Sequence, residues 1–203
     1  MTTEQLRHRM PPILKALKER SLRGRTPVEG LRRTECAYHG WDTVHADAAS
    51  WEPFAPGDAF GGLEAHHCFK GTVTLPEASA GKRVVCLVST GASDIWNNNN
   101  PQFLAYVDGR LVCGLDVNHN EFDLAACAVP GESHELALYV YCNTPARDVF
   151  LRVETAERDD DVTGLYYDLR APYEVCALLA DDDTRAIGIM KHLNRALNLL
   201  DLR

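Results

Sequence analysis

Two polar turns carry the side chains best suited to ligand chemistry. They are Asn97–Asn100, with Trp96 beside it, and Asp116-Val117-Asn118-His119-Asn120. Amide and carboxylate groups make paired hydrogen bonds to hydroxyls, and an aromatic plate covers the apolar C–H face of a sugar ring. Trp96, Asp116, Asn118, His119 and Asn120 are therefore candidate carbohydrate-binding or active-site-rim residues. Asn, Asp and Gly also build tight turns with no ligand involved, and both readings stand at this level.

No catalytic or metal-ligating residue emerges from the other motifs. His66-His67 stands beside Glu64, but neighbours on a strand point to opposite faces and do not share an ion. No C-x-x-C and no G-x-S-x-G occurs, and no Ser-His-Asp arrangement can be argued. Gly61-Gly62 precedes a strand pattern, not a helix, so it is not a phosphate loop.

The elements that position these turns are mostly strands. Asp108-Gly109 separates the apolar runs Phe103–Val107 and Leu111–Val117, the strongest local signal for a hairpin with a type I′ turn. Strands are also expected at Val28–Leu31, Cys36–Tyr38, Cys68–Leu75, Val84–Ser89, Glu121–Leu124, Glu135–Tyr141 and Val149–Glu154, with Trp41 and Trp51 in an exposed loop. Such spacing, with Gly, Pro and Asn turns and no helices between, describes a mainly β fold, a sandwich or barrel. Helices flank it. Leu6, Met10, Ile13, Leu14 and Leu17 recur at helical spacing, with Pro11-Pro12 starting or kinking that helix. Tyr173–Leu179 reads as a short helix begun by Pro172. Ala186, Met190, Leu193, Leu197 and Leu200 form a stripe behind the caps of Asp181–Thr184. That helix stops at Arg203, only just past its stripe, as if a larger protein continued.

The chain has 203 residues, 45% of them hydrophobic, enough for one sizeable core and a small annex. No apolar run approaches the roughly 18 to 20 residues of a membrane helix, and Met10–Leu14 is too short for a secretory signal. Most of the seven scattered cysteines read as buried free thiols, which implies a reducing, cytoplasmic setting. Net charge is −8, with +6 on residues 1–33 and −14 on the rest. An acidic body does not attract nucleic acid, so neither nucleic acid nor membrane is an expected partner. The basic segment is either a solvated helix face or a dock for an acidic surface.

Several blocks together resemble the N-terminal accessory domain of glycoside hydrolase family 38 α-mannosidases. They are Trp51-Glu52-Pro53-Phe54 with Pro56-Gly57-Asp58, Gly61-Gly62, Gly71-Thr72-Val73-Thr74-Leu75-Pro76 and Gly81-Lys82-Arg83-Val84. Further matches are Asn99-Asn100-Pro101 running to Asp108-Gly109, Gly114-Leu115-Asp116-Val117-Asn118-His119, Leu165-Tyr166-Tyr167-Asp168-Leu169 and Lys191–Arg203. Phe60 and Cys68-Phe69-Lys70 depart from the family pattern, which has Trp and Trp-Phe-Arg there.

The resemblance implies a jelly-roll, galactose-binding-like β-sandwich ahead of a catalytic barrel. The expected layout is an N-terminal helix at 1–25, the sandwich at 26–157 and a helical segment at 158–203 leading to a catalytic domain absent from this chain. It further implies that retaining α-mannoside hydrolysis, with an Asp nucleophile and a zinc ion, belongs to that domain, and that this chain holds no cofactor. His45-Ala46-Asp47 matches the family's H-x-D by letter but lacks its flanking residues. The expected partners are the chain's own catalytic domain, a second copy in a homo-oligomer and a mannoside glycan. A stand-alone carbohydrate-binding sandwich is the alternative reading.

Overall fold

The computed structural model describes residues 3–91, 101–180 and 182–200. They divide into two compact units, Gly24–Glu157 and a second made of residues 1–23 with 158–203.

The larger unit is a two-sheet β-sandwich. In chain order its strands are β1 (Leu22–Pro27), β2 (Arg32–Cys36), β3 (Glu52–Pro53), β4 (Ala59–Thr74), β5 (Arg83–Ser89), β6 (Gln102–Val107), β7 (Arg110–Leu115), β8 (Glu121–Ala125), β9 (Ser133–Phe150) and β10 (Arg152–Arg158). One sheet has the order β1-β10-β5-β8 and the other β3-β2-β4-β9-β6-β7. From β4 onward the chain passes back and forth between the sheets, except at the β6–β7 hairpin, which stays in the larger one. Neighbours in the larger sheet are antiparallel throughout.

Side chains alternate across these strands, and that places the core. Phe69, Val73, Phe103, Ala105, Leu136, Leu138 and Val140 from the large sheet meet Val84, Cys86, Val88, Phe122, Leu124 and Val153 from the small one. The intervening residues Cys68, Tyr106, Ala137 and Tyr139 face the other way and form a smaller cluster with Val44 and Trp51. Trp51 is thus buried, not exposed as expected, while Trp41 remains 40% exposed.

Two departures from regular pairing have clear causes. Gly61, Gly62 and Glu64 all take positive φ, and the β4–β9 register shifts across them. The Gly-Gly turn is therefore a bulge inside one long strand, a conformation in which glycine avoids the Cβ clash. Its Gly61 carbonyl hydrogen-bonds the buried His67 Nε2 at 3.1 Å. In the hairpin, Asp108 and Gly109 have φ of 50° and 73°, as a type I′ turn requires.

The Asp108 carboxylate fixes that hairpin to β9. It accepts from His134 Nδ1 at 2.8 Å and from the Glu135 amide at 2.8 Å. The His134 bond, then the Glu135 amide, hold the carboxyl below its ordinary pKa. A depressed folded-state pKa gives stability that is complete above the unfolded value of about 3.9 and is lost as pH falls below it. Denaturant midpoints measured between pH 5 and 3 are therefore expected to fall less steeply in Asp108→Asn than in the natural chain. Parallel slopes would show that this carboxylate adds nothing.

The smaller unit packs three helices, α1 (Thr3–Ser21), α2 (Asp160–Ala177) and α3 (Thr184–Leu197). Leu6, Met10 and Leu17 meet Tyr166, Leu169, Cys176, Met190, Leu193 and Leu197 in its core. α2 begins a dozen residues before the expected Pro172, because the Asp159 side chain accepts from the Val162 amide at 3.1 Å and caps it there. Asp183 caps α3 in the same way, accepting from the Arg185 amide at 2.8 Å. No described helix is long and apolar enough to cross a membrane.

Candidate carbohydrate-binding face

The outward face of the six-stranded sheet carries a group of aromatic and polar side chains, among them His66, Lys70, Tyr106 and Tyr139. A strap spanning residues 40–51, which opens with a 3₁₀ turn at Gly40–His45, packs on it through Val44 and Trp51. Arg32 Nη1 donates to the carbonyls of Ala49 and Trp51 at 3.1 and 2.8 Å. Lys70 Nζ donates to the Ala46 carbonyl at 2.9 Å and pairs with Glu135 at 3.0 Å. The strap's carbonyls thereby satisfy two cations that would otherwise be costly near an apolar sheet.

The same face carries an aromatic row. His66 lies between Tyr139 and Tyr141, with ring centroids 5.6 and 5.1 Å away. Trp41 stands edge-on to Tyr139 at 6.4 Å. Burial pushes the His66 pKa down and that of the Tyr139 phenol up, so both are neutral near pH 7. The Tyr139 hydroxyl and His66 Nδ1 are hydrogen-bonded at 2.7 Å.

Next to this row is a shallow pit of about 360 Å³, lined by Gln102, Leu104, Gly114, Asp116, Tyr139 and Tyr141. Pairing of β6 with β9 sets Gln102 opposite Tyr141 and Leu104 opposite Tyr139. Rings and an aliphatic side chain provide apolar surface, an amide and a carboxylate stand at the edge, and Gly114 leaves space by having no side chain. A pyranose ring needs that combination. A larger cavity of about 510 Å³ opens between the sheets, but its walls are mainly apolar, among them Val28, Leu31, Phe54 and Val153.

The sequence-derived candidates divide. Trp96 and the Asn97–Asn100 turn lie outside the described residues. Asp116 borders the pit, but its Oδ1 also organises its own turn, accepting from the amides of His119 at 2.7 Å and Asn118 at 2.8 Å and from His119 Nδ1 at 3.2 Å. Those amides, His119 first, hold the carboxyl below its usual pKa. The Asn120 carbonyl accepts from the Val88 amide at 2.9 Å. Asn118 and His119 are thus turn neighbours of the pit and not part of its lining. Tyr139, Tyr141, Gln102 and Leu104 were not singled out from the sequence. Two tyrosines two apart in a strand that otherwise alternates Leu and Val were the available signal.

His66 and His67 do face opposite sides, since His67 packs with Phe60 and Phe69 in the core. His45 packs edge-on to Tyr106, and Asp47 caps a turn by accepting from the Ala49 amide at 3.0 Å. Among the described residues no group of three or more His, Cys, Asp or Glu is placed to hold a metal ion.

No protein-family model and no curated protein matches the sequence. Solved structures with partial likeness include a Bacteroides uniformis β-glucuronidase, at 11% identity and a TM-score of 0.49, over 66% of this chain and 18% of that one. A Faecalibacterium prausnitzii β-glucuronidase gives 13% and 0.44, over 67% and 32%. A Ruminococcus gnavus β-glucuronidase gives 7% and 0.47, over 66% and 29%. This chain spans less than a third of the length of each.

Proposed function

We propose that this chain is the non-catalytic N-terminal β-sandwich of a zinc-dependent retaining α-mannosidase of the family 38 type. The observation that supports it is where the family-like blocks fall. Pro101–Gly109 and Gly114–His119 supply β6, the hairpin turn, the end of β7 and the turn after it, and this segment carries Gln102, Leu104, Gly114 and Asp116 to the rim of the pit. Hydrolysis and zinc binding belong to a catalytic domain outside this chain, and the sandwich packs against that domain in a cytoplasmic enzyme, as a homo-oligomer. The test is turnover of an aryl α-mannoside by the purified chain, with and without added zinc. None is expected, and turnover that tracks bound zinc would overturn the proposal.

The pit favours a second reading, a sandwich that binds mannosides by itself. Calorimetric titration with mannobiose separates the two. Binding at millimolar strength or better that is lost in Tyr141→Ala would establish it, and flat titrations of the natural chain would exclude it.

A further inference from the structure

We propose that Cys36 and Cys68 form an oxidation site, at which a peroxide converts the two thiols into a reversible disulfide joining β2 to β4. Their sulfur atoms lie 3.6 Å apart. In the antiparallel register Thr34 faces Cys68 and Cys36 faces His66, so the two cysteines are diagonal neighbours on one face. A disulfide needs about 2.05 Å between sulfurs. Cys36 is the last residue of β2 and leads into a turn closed by the Gly40 amide and the Ala37 carbonyl at 2.8 Å, so the strand end can close the gap while β4 keeps its place in the sheet.

The two thiols have unequal roles. Cys36 is half-buried and Cys68 fully buried. The two sulfurs share a hydrogen bond, which lowers the Cys36 pKa and raises that of Cys68. Cys36 is therefore the thiolate that meets the oxidant, the arrangement in which an accessible low-pKa cysteine sits beside a resolving one. Its sulfur attacks one peroxide oxygen, the O–O bond breaks, and with a proton from solvent the products are Cys36 sulfenic acid and water (or an alcohol from an organic peroxide). The Cys68 sulfur then attacks the Cys36 sulfur, its proton leaves with the displaced hydroxide as a second water, and the S–S bond forms. The peroxide is reduced by two electrons and the thiol pair is oxidised by two. In a reducing compartment such a bond is transient.

The experiment is exposure of the full chain to hydrogen peroxide, alkylation of the remaining thiols and peptide mapping without reductant. The expected product is a cross-linked peptide joining Cys36 to Cys68, about 2 Da lighter than its two halves, which dithiothreitol separates. Cys68→Ser is expected to abolish the link and leave a Cys36 sulfenic acid that dimedone traps. Should that buried substitution prevent folding, Cys36→Ser at the half-buried position must likewise abolish the link and leave Cys68 open to alkylation only after denaturation. Full alkylation of both cysteines in the treated natural chain would overturn the proposal. So would links made chiefly to exposed Cys127.

Discussion

Phe69→Ala is expected to cost the sandwich about 3–5 kcal/mol. Phe69 is fully buried, and its ring stands edge-on to Phe54 at 4.9 Å and to Phe60 at 5.0 Å. Removing it takes away the transfer energy of a whole ring and leaves a cavity that the β4 backbone, paired on both sides to β2 and β9, cannot collapse into. Edge-to-face contacts add roughly 0.5–1.5 kcal/mol per pair beyond burial. All three tryptophans, Trp41, Trp51 and Trp96, lie within Gly24–Glu157. Tryptophan fluorescence during denaturant unfolding therefore reports this unit separately from the helices. A loss under about 1 kcal/mol would mean that the three rings do not interlock.

The opposite sign is expected for Pro11→Ala combined with Pro12→Ala. α1 runs through both prolines, whose side chains are exposed. An interior proline removes an amide and crowds the preceding turn at a cost of about 3 kcal/mol. The Arg7 carbonyl, which Pro11 cannot serve, accepts from the Tyr173 hydroxyl at 3.5 Å instead, a long bond. Alanine restores both amides, against a loss of about 0.4–1 kcal/mol per site because the unfolded chain becomes freer. The double variant should therefore stabilise the helical unit by about 2 kcal/mol or more, read from the melting of the far-ultraviolet helix signal. An unchanged midpoint would place the prolines functionally at a helix start, where the missing amides cost nothing.

What the sequence reveals depends on how local the cause is. The hairpin at Asp108-Gly109 is readable because two adjacent positive φ angles select those residues. The α3 stripe is readable because Ala186, Met190, Leu193 and Leu197 repeat at helical spacing, and all four are buried. β1 and β2 are misplaced by the same reasoning. Val28 and Leu31 look like a strand, yet they belong to the buried crossing between sheets, where the Val28 amide donates to Val153 and the Leu31 carbonyl accepts from Phe54. The strands on either side read LRGRTP and RRTEC and are partly or fully exposed, so an apolar filter passes over them. β9 extends well past the expected Tyr141, to Phe150, because long pairing with β4 holds residues whose own propensity is modest. The pit is hidden for a related reason. Gln102 and Tyr141 are far apart in sequence and meet only through β6–β9 pairing, whereas the Asp116–Asn120 turn stood out because turn chemistry and ligand chemistry use the same residue types.

The helical unit is assembled from the two ends of the described chain, with Gly24–Glu157 lying between them in sequence. On a ribosome adding roughly 5–20 residues per second, α1 emerges on the order of ten seconds before α2 does. During that interval Leu6, Met10 and Leu17 lack the α2 and α3 side chains they pack against in the folded unit. The nascent chain therefore presents a basic, amphipathic helix, still without α2 and α3, for the whole time the sandwich is being made.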